Sequence, residues 1–347
     1  MKKNILICPL DWGLGHAARC VPVIKELQRL GHQVIIGADQ QPLAFLQQEF
    51  PELPVIKISG YNVLYSKKAN GFKLLFEGIR FYQFIKKEHK LLAQILAEND
   101  IDVVISDNRY GLWNKDVKSI FITHQVFVKT PLFSTWIQNK IKQLITNFDE
   151  CWIPDVEGEN NLSGDLAHFK KIDFSHQYIG ALSRFKNVPN TTSKYDVLTI
   201  VSGPEPQRTI FQNLLIKQLK TTQLKVALVA GNPHLIEKKE EGNVTIFSHL
   251  PTPQLQELIT QSKVVICRAG YSSIMDLVAL QQKAVLVPTP GQTEQEYLAN
   301  YHMEKGNFYS QNQDQFNLEE ALLKLEEYPP SSKMTDSLNF DFLNIEG

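Results

Sequence analysis

Cysteine is scarce. The 347 residues hold four, Cys8, Cys20, Cys151 and Cys267, scattered and without a CxxC pair. That excludes a disulfide framework and a cysteine-ligated metal. Cys8 and Cys267 lie in apolar runs, so the cysteines are expected as buried free thiols in a reducing compartment. Charge of one sign is also missing. A formal net charge of -1 argues against a surface given over to nucleic acid, and no nucleic-acid partner is expected. No apolar run approaches the ~18 residues of a membrane-crossing helix. The amino-terminal apolar run breaks at Pro9 and Asp11, too early for a secretory signal. A cytoplasmic protein is expected, with peripheral contact to the inner face of a membrane left open. No metal site and no cofactor are expected.

What is present is a folded composition, 43% hydrophobic and 21% charged. The length suits two domains. Short apolar runs alternate with stretches of helical period, the grammar of parallel βα units. Strands are expected at Asn4–Cys8, Val34–Gly37, Val55–Ile58, Asp102–Ser106, Ser119–Ile122 and Glu150–Ile153, with helices over Ala17–Leu30, Pro42–Phe50 and Gly71–Glu98. A polar stretch from Asn187 to Lys194 marks a linker. Beyond it, strands are expected at Asp196–Val201, Lys225–Ala230, Val244–Phe247, Val264–Cys267, Ala284–Pro288 and near Asn307–Tyr309. Helices are expected over Thr209–Leu219, Thr252–Gln261, Ser272–Leu280, Glu294–Lys305 and Leu318–Glu327. The division is 1–186, 187–328 and a tail, 329–347. The fold class is α/β, with two Rossmann-like parallel-sheet domains facing across a cleft that takes ligands at the strands' carboxyl ends.

The chemistry-bearing residues cluster at those ends. After the first strand comes Asp11-Trp12-Gly13-Leu14-Gly15-His16. Gly13 and Gly15 let backbone approach a ligand, and a helix start follows. A third glycine is absent, so a dinucleotide fingerprint is a poor match. His16 is a candidate general base, and Asp11 is its rival. Two further strands end in Asp107-Asn108-Arg109 and Thr123-His124-Gln125. Asp107 could orient His16 or His124, and the base cannot be chosen among them. In the second half, Ser202 and Gly203 lead to a helix start, with Arg208 as a charge partner for a diphosphate. The strongest run is Cys267-Arg268-Ala269-Gly270-Tyr271-Ser272-Ser273, with Asp276 one turn into its helix. Glu294, Gln295 and Glu296 follow the next strand and suit sugar hydroxyls.

This pattern resembles the glycosyltransferases of the GT-B fold, nearest to the peptidoglycan N-acetylglucosaminyltransferase (MurG) and its UDP-sugar-using relatives. The resemblance rests on Cys267 to Gly270, Asp276, Val287-Pro288, and Gln295 with Tyr297, Ala299 and Asn300. It implies that Asp276 holds the ribose, Ser272 and Ser273 the diphosphate, and Glu294, Gln295 and Glu296 the donor sugar. The backbone at His249-Leu250 would face the base, and His16 matches the histidine of the family's glycine loop. Asp276 stands where relatives usually carry Glu, and Ser202-Gly203-Pro204-Glu205-Pro206 replaces a richer glycine loop.

The expected activity is hexosyl transfer from a UDP-sugar, inverting and metal-independent, to an unidentified acceptor, with a lipid-linked or membrane-associated one as the candidate. A nucleotide-sugar epimerase of the same fold and a non-catalytic UDP-sugar-binding protein are the rivals. Residues 67–90 carry Lys67, Lys68, Lys73, Arg80, Lys86, Lys87 and Lys90 against Glu77 and Glu88, interleaved with aromatics. Such a zone could rest on an anionic membrane. The plainer reading is a helix with its apolar stripe in the core.

Overall fold

The computed structural model describes residues 2–60, 71–128, 134–186, 192–231 and 237–329. They divide into two compact units, the first ending at Leu182 and the second beginning at Ser183. The boundary precedes the expected one at 186 because Ser183 to Lys186 bond to helices of the second unit. Lys186 N–H donates to Gln256 Oε1 (3.2 Å), whose amide donates back to the Lys186 carbonyl (2.8 Å). The expected linker falls largely outside the described residues, as do the tail beyond 329 and Lys67 and Lys68.

The first unit holds strands β1 (Asn4–Pro9), β2 (Gln33–Ala38), β3 (Val55–Lys57), β4 (Val103–Asp107), β5 (Lys118–Ile122), β6 (Glu150–Ile153) and β7 (His176–Tyr178). All pair in parallel, in the order β3-β2-β1-β4-β5-β6-β7. Helices α1 (Leu14–Arg29), α2 (Gln40–Glu49), α3 (Gly71–Glu98), α4 (Ser134–Ile145) and α5 (Asp165–His168) connect them. Ile5, Leu6, Ile7 and Cys8 of β1 are fully buried, as a central parallel strand covered on both faces requires. All four cysteines are buried and unbridged, and burial pushes the Cys8 and Cys267 thiols up to about 12.

Helix α3 buries Ile85, Glu88, Leu92 and Ile95, a stripe at three- and four-residue spacing, and exposes Ile79, Tyr82, Lys86, Lys87 and Lys90. Glu88 does not belong to the solvated face. It accepts from Arg109 Nε at 2.7 Å, and Arg109 also donates to the carbonyls of Ile58 (3.0 Å) and Ser59 (2.7 Å). This buried pair fastens α3 to the loops after β3 and β4.

The second unit holds β8 (Tyr195–Ile200), β9 (Val226–Val229), β10 (Lys238–Glu241), β11 (Val244–Phe247), β12 (Ser262–Cys267), β13 (Ala284–Leu286) and β14 (Tyr309–Ser310). Their order is β10-β11-β9-β8-β12-β13-β14. Only β10 runs antiparallel among the described pairings, and its Lys-Lys-Glu-Glu sequence guards the sheet edge with charge. Helices α6 (Gln207–Leu219), α7 (Thr252–Thr260), α8 (Tyr271–Ala279), α9 (Thr293–Glu304) and α10 (Leu318–Leu325) cover the sheet. Phe211, Leu215 and Leu219 of α6 meet Val197, Leu228, Ile266 and Val285 in the core.

In each unit the chain order reverses beside the first strand: β1 lies between β2 and β4, and β8 between β9 and β12. Such switch points leave a crevice at the strands' carboxyl ends, where the connecting loops diverge. No described helix is long and apolar enough to cross a membrane.

Candidate active site

In the first unit, sheet register gathers the polar residues. Pro9 at the end of β1 is level with Asp107 at the end of β4, and Asp107 is level with Ile122 at the end of β5. The glycine loop, Asp107 and Thr123-His124 therefore share one edge. Gly13, at φ 84°, precedes α1, which begins three residues before the expected Ala17 and places His16 in its first turn.

Asp107 is fully buried and accepts hydrogen bonds from several directions. His16 Nδ1 lies 2.9 Å from Oδ1, Arg19 Nε donates to Oδ2 at 2.6 Å, and Arg19 Nη2 pairs with Oδ1. The Cys20 thiol lies 3.7 Å from Oδ2. Burial alone would raise the Asp107 pKa. Arg19 and His16 override it and hold the carboxyl far below its usual range. An ionised Asp107 can only accept, so His16 keeps its proton on Nδ1 and donates it in this hydrogen bond, which leaves Nε2 with its electron pair. Burial, reinforced by the Arg19 charge, lowers the His16 pKa against the opposing pull of Asp107. His16 is thus a neutral imidazole near pH 7. Arg19 Nη1 also lies 3.0 Å from His124 Nδ1; a guanidinium only donates, so that nitrogen accepts.

Asp11 has another setting. Gly60 N–H donates to its Oδ2 at 3.0 Å, and a Cβ on Gly60 would overlap the Asp11 side chain. Burial raises the Asp11 pKa, opposed chiefly by Arg109. Asp11 therefore closes a loop, while His16 has a carboxylate that orients it.

In the second unit, the ends of β8, β12 and β13 lie side by side. Ser202 and Gly203 follow β8, with Gly203 at φ 108°. Gly270 caps α8, and Ser272 and Ser273 fill its first turn, half-buried. Thr289 follows β13. It is 2% exposed, its Oγ1 finds no partner among the described residues, and a Cβ on Gly203 would lie 3.9 Å from it.

An Asp-x-Asp sequence, a pattern that can grip a metal-diphosphate, occurs at Asp100-Ile101-Asp102. It precedes β4 and bonds Asn4 at the start of β1 (Asp102 Oδ2, 2.7 Å; Asp100 Oδ2, 3.3 Å). That is the amino edge of the sheet, opposite the candidate residues. No group of three or more candidate ligands for a metal occurs among the described residues.

Each unit matches a family model. Residues 4–114 match glycosyl transferase family 1, and residues 206–344 match the glycosyltransferase family 28 C-terminal domain. A curated relative from Methanosarcina acetivorans, described as an uncharacterized glycosyltransferase, is 25% identical over 337 residues, covering 88% of this chain and 84% of its own. Among solved structures, Arabidopsis thaliana UGT89C1, in complex with UDP-L-rhamnose, superposes with a TM-score of 0.62 at 14% identity, covering 96% of this chain and 92% of its own. Acinetobacter baumannii MurG superposes with a TM-score of 0.53 at 14% identity, covering 94% and 92%. The chain is a glycosyltransferase of the GT-B fold.

Several expected donor residues in this glycosyltransferase have partners already. Arg268 is 1% exposed and does not present its guanidinium to a diphosphate. It donates to the carbonyls of Val287 (3.3 Å), Pro288 (3.2 Å) and Gln207 (3.1 Å) and to Gln313 Oε1 (2.6 Å), and stacks 4.0 Å over Phe211. Burial lowers its pKa to about 10. Arg208 is spent on Glu205 (2.6 Å) and the Gly231 carbonyl (2.9 Å). Gln295 accepts from Thr289 N–H and Glu296 from Gly291 N–H, each at 2.9 Å, so both shape the loop before α9. Glu294, half-buried, stands beside them, and His249 and Leu250 follow β11 as expected. Asp276 accepts from Ser183 Oγ at 2.6 Å and from the Arg184 backbone. Arg19, Thr289 and Ser183 were unassigned from sequence. Arg19 had a signal: a charge within the apolar run Ala17 to Ile24, one helical turn from His16.

Burial raises the Asp276 pKa from 3.8 to about 6, against the Arg184 charge and the Ser183 hydrogen bond. The folded state thus binds this proton more tightly than the unfolded chain does. The associated stability is present below pH ~4 and lost as pH rises through ~6. Relative to Asp276→Asn, the wild-type protein should lose on the order of 1–3 kcal/mol across that window. Parallel denaturation curves from pH 4 to 7 check this; curves that stay a constant distance apart would contradict it.

Proposed function

We propose that this glycosyltransferase moves a hexosyl group from a UDP-sugar to an acceptor hydroxyl by a single inverting displacement without a metal. The observation that carries the reading is the His16–Asp107 pair. Nε2 of His16 takes the acceptor's proton, the freed oxygen bonds the anomeric carbon, and the bond from that carbon to the diphosphate oxygen breaks with its electrons. Asp107 stabilises the imidazolium that forms. The Asp11 carboxylate, engaged with Gly60, shapes the loop instead.

On the donor side, Gly203, Ser202 and the α8 start at Gly270, Ser272 and Ser273 suit the diphosphate, because the positive end of a helix dipole favours negative charge. Thr289 Oγ1 adds a hydroxyl to that set. Asp276 serves the ribose in exchange with Ser183, Glu294 serves the sugar hydroxyls, and the His249-Leu250 backbone serves the base. Arg268, Arg208, Gln295 and Glu296 act indirectly by holding the loops. The choice of uridine is supported by the motif resemblance and by the UDP-sugar in the Arabidopsis structure.

A thermal-shift panel of uridine, thymidine and guanosine nucleotides should show stabilisation by UDP and a UDP-sugar, and the best donor should hydrolyse slowly. His16→Ala should cut that turnover by about 10²–10⁴-fold and leave the UDP shift unchanged. An unresponsive protein, or full turnover by His16→Ala, would contradict the reading. Release of an epimerised sugar nucleotide would favour the epimerase.

The acceptor is proposed to be membrane-associated. With Glu88 drawn into the core, the exposed side of α3 from Ile79 to Lys90 combines lysines with Ile79 and Tyr82. The protein should bind vesicles rich in anionic lipid, and added salt should release it; absence of binding at low salt would sink this part.

A further inference from the structure

The base needs more than the His16–Asp107 pair. In an isolated buried pair, the carboxylate stabilises the imidazolium and works against a free Nε2 electron pair before reaction. The structure offers a counterweight. Arg19 sits one helical turn after His16, is 1% exposed, and places its guanidinium flat against both oxygens of Asp107. A third nitrogen reaches His124 Nδ1 at 3.0 Å. Among the described residues, the charged or titratable groups facing His16 are Arg19 from its own helix, Asp107 from β4 and His124 from the loop after β5.

We propose that Arg19 is a positioning residue for the base: clamped on Asp107 and His124, it fixes the carboxylate that orients His16 and opposes protonation of His16 Nε2. Two effects follow from one geometry. The two-point contact leaves the carboxylate one rotation, with Oδ1 shared between His16 and Arg19. The buried positive charge raises the cost of a second cation nearby, so His16 stays neutral at a pH where a simple His–Asp pair would hold an extra proton. The contact to His124 Nδ1 places that ring's own proton on Nε2. A lysine could keep the charge but not the planar, two-point grip.

This inference deepens the proposed role of His16 and rests on that reading for its catalytic meaning, but its test does not need activity. Protein labelled with ¹⁵N-histidine, with His16 assigned through His16→Gln, reports tautomer and titration directly. In the wild-type protein His16 should carry its proton on Nδ1 and titrate below 6.5, and His124 should carry its proton on Nε2. In Arg19→Gln the His16 midpoint should rise by about one pH unit or more. In Arg19→Lys it should stay near the wild-type value, while kcat falls and the donor KM holds. A wild-type His16 that titrates at or above 6.5 overturns the proposal without any variant. So does an unmoved midpoint in an Arg19→Gln protein with wild-type circular dichroism, which is what a merely structural arginine would give. If the midpoint moves as expected but His16→Ala keeps full turnover, the base assignment fails and the electrostatic role of Arg19 stands.

Discussion

A carboxylate with no exposure to solvent costs several kcal/mol unless donors surround it. Asp107 is such a group, and the polar edge of the first unit is arranged around it. Its charge is met by Arg19, His16 and Cys20, all drawn from the first turns of α1. That demand places a helix start at the end of β1 and turns the His16 ring so that Nδ1 faces the carboxylate. The compensation also decides chemistry. A carboxylate stabilised this strongly stays ionised, so its neighbour's proton sits on one nitrogen and the other is left basic.

The second unit meets a similar demand with the opposite sign. Arg268 is a buried cation, and its two terminal nitrogens donate to carbonyls after β13, the first turn of α6 and Gln313. The consequence is mechanical: one side chain ties together the loop after β12, the loop after β13 and the start of α6. Buried arginines thus fasten the candidate residues within each unit. Sequence reading tends to assign arginines to ligands, because a charge in a motif is visible and its burial is not.

Much of the fold was legible. Continuous apolar strands and helical spacing gave most elements within a few residues, and both halves read as parallel α/β. The elements that escaped have physical reasons. The edge strand β10 is all charge and lacks alternation, β7 is three residues long, and α5 is a single turn. Helix α4 was missed although Ile137, Ile141 and Ile145 stand at helical spacing. At the site, the loops were legible because glycines and hydroxyls at strand ends have few other uses. The partners within them were not. That Asp107 pairs with His16, and that Arg19 bridges Asp107 and His124, depends on the register of β1, β4 and β5, which no local pattern encodes. Ser183 meets Asp276 across 93 positions of sequence.

The central claim is that the second unit carries the donor and the first unit the base. Hydrogen–deuterium exchange with and without a UDP-sugar reads this directly. Slowed exchange should appear at 202–209, 270–276 and 289–296, with little change over 11–16 and 107–109. Protection confined to the first unit, or none at a saturating donor concentration, would contradict the account.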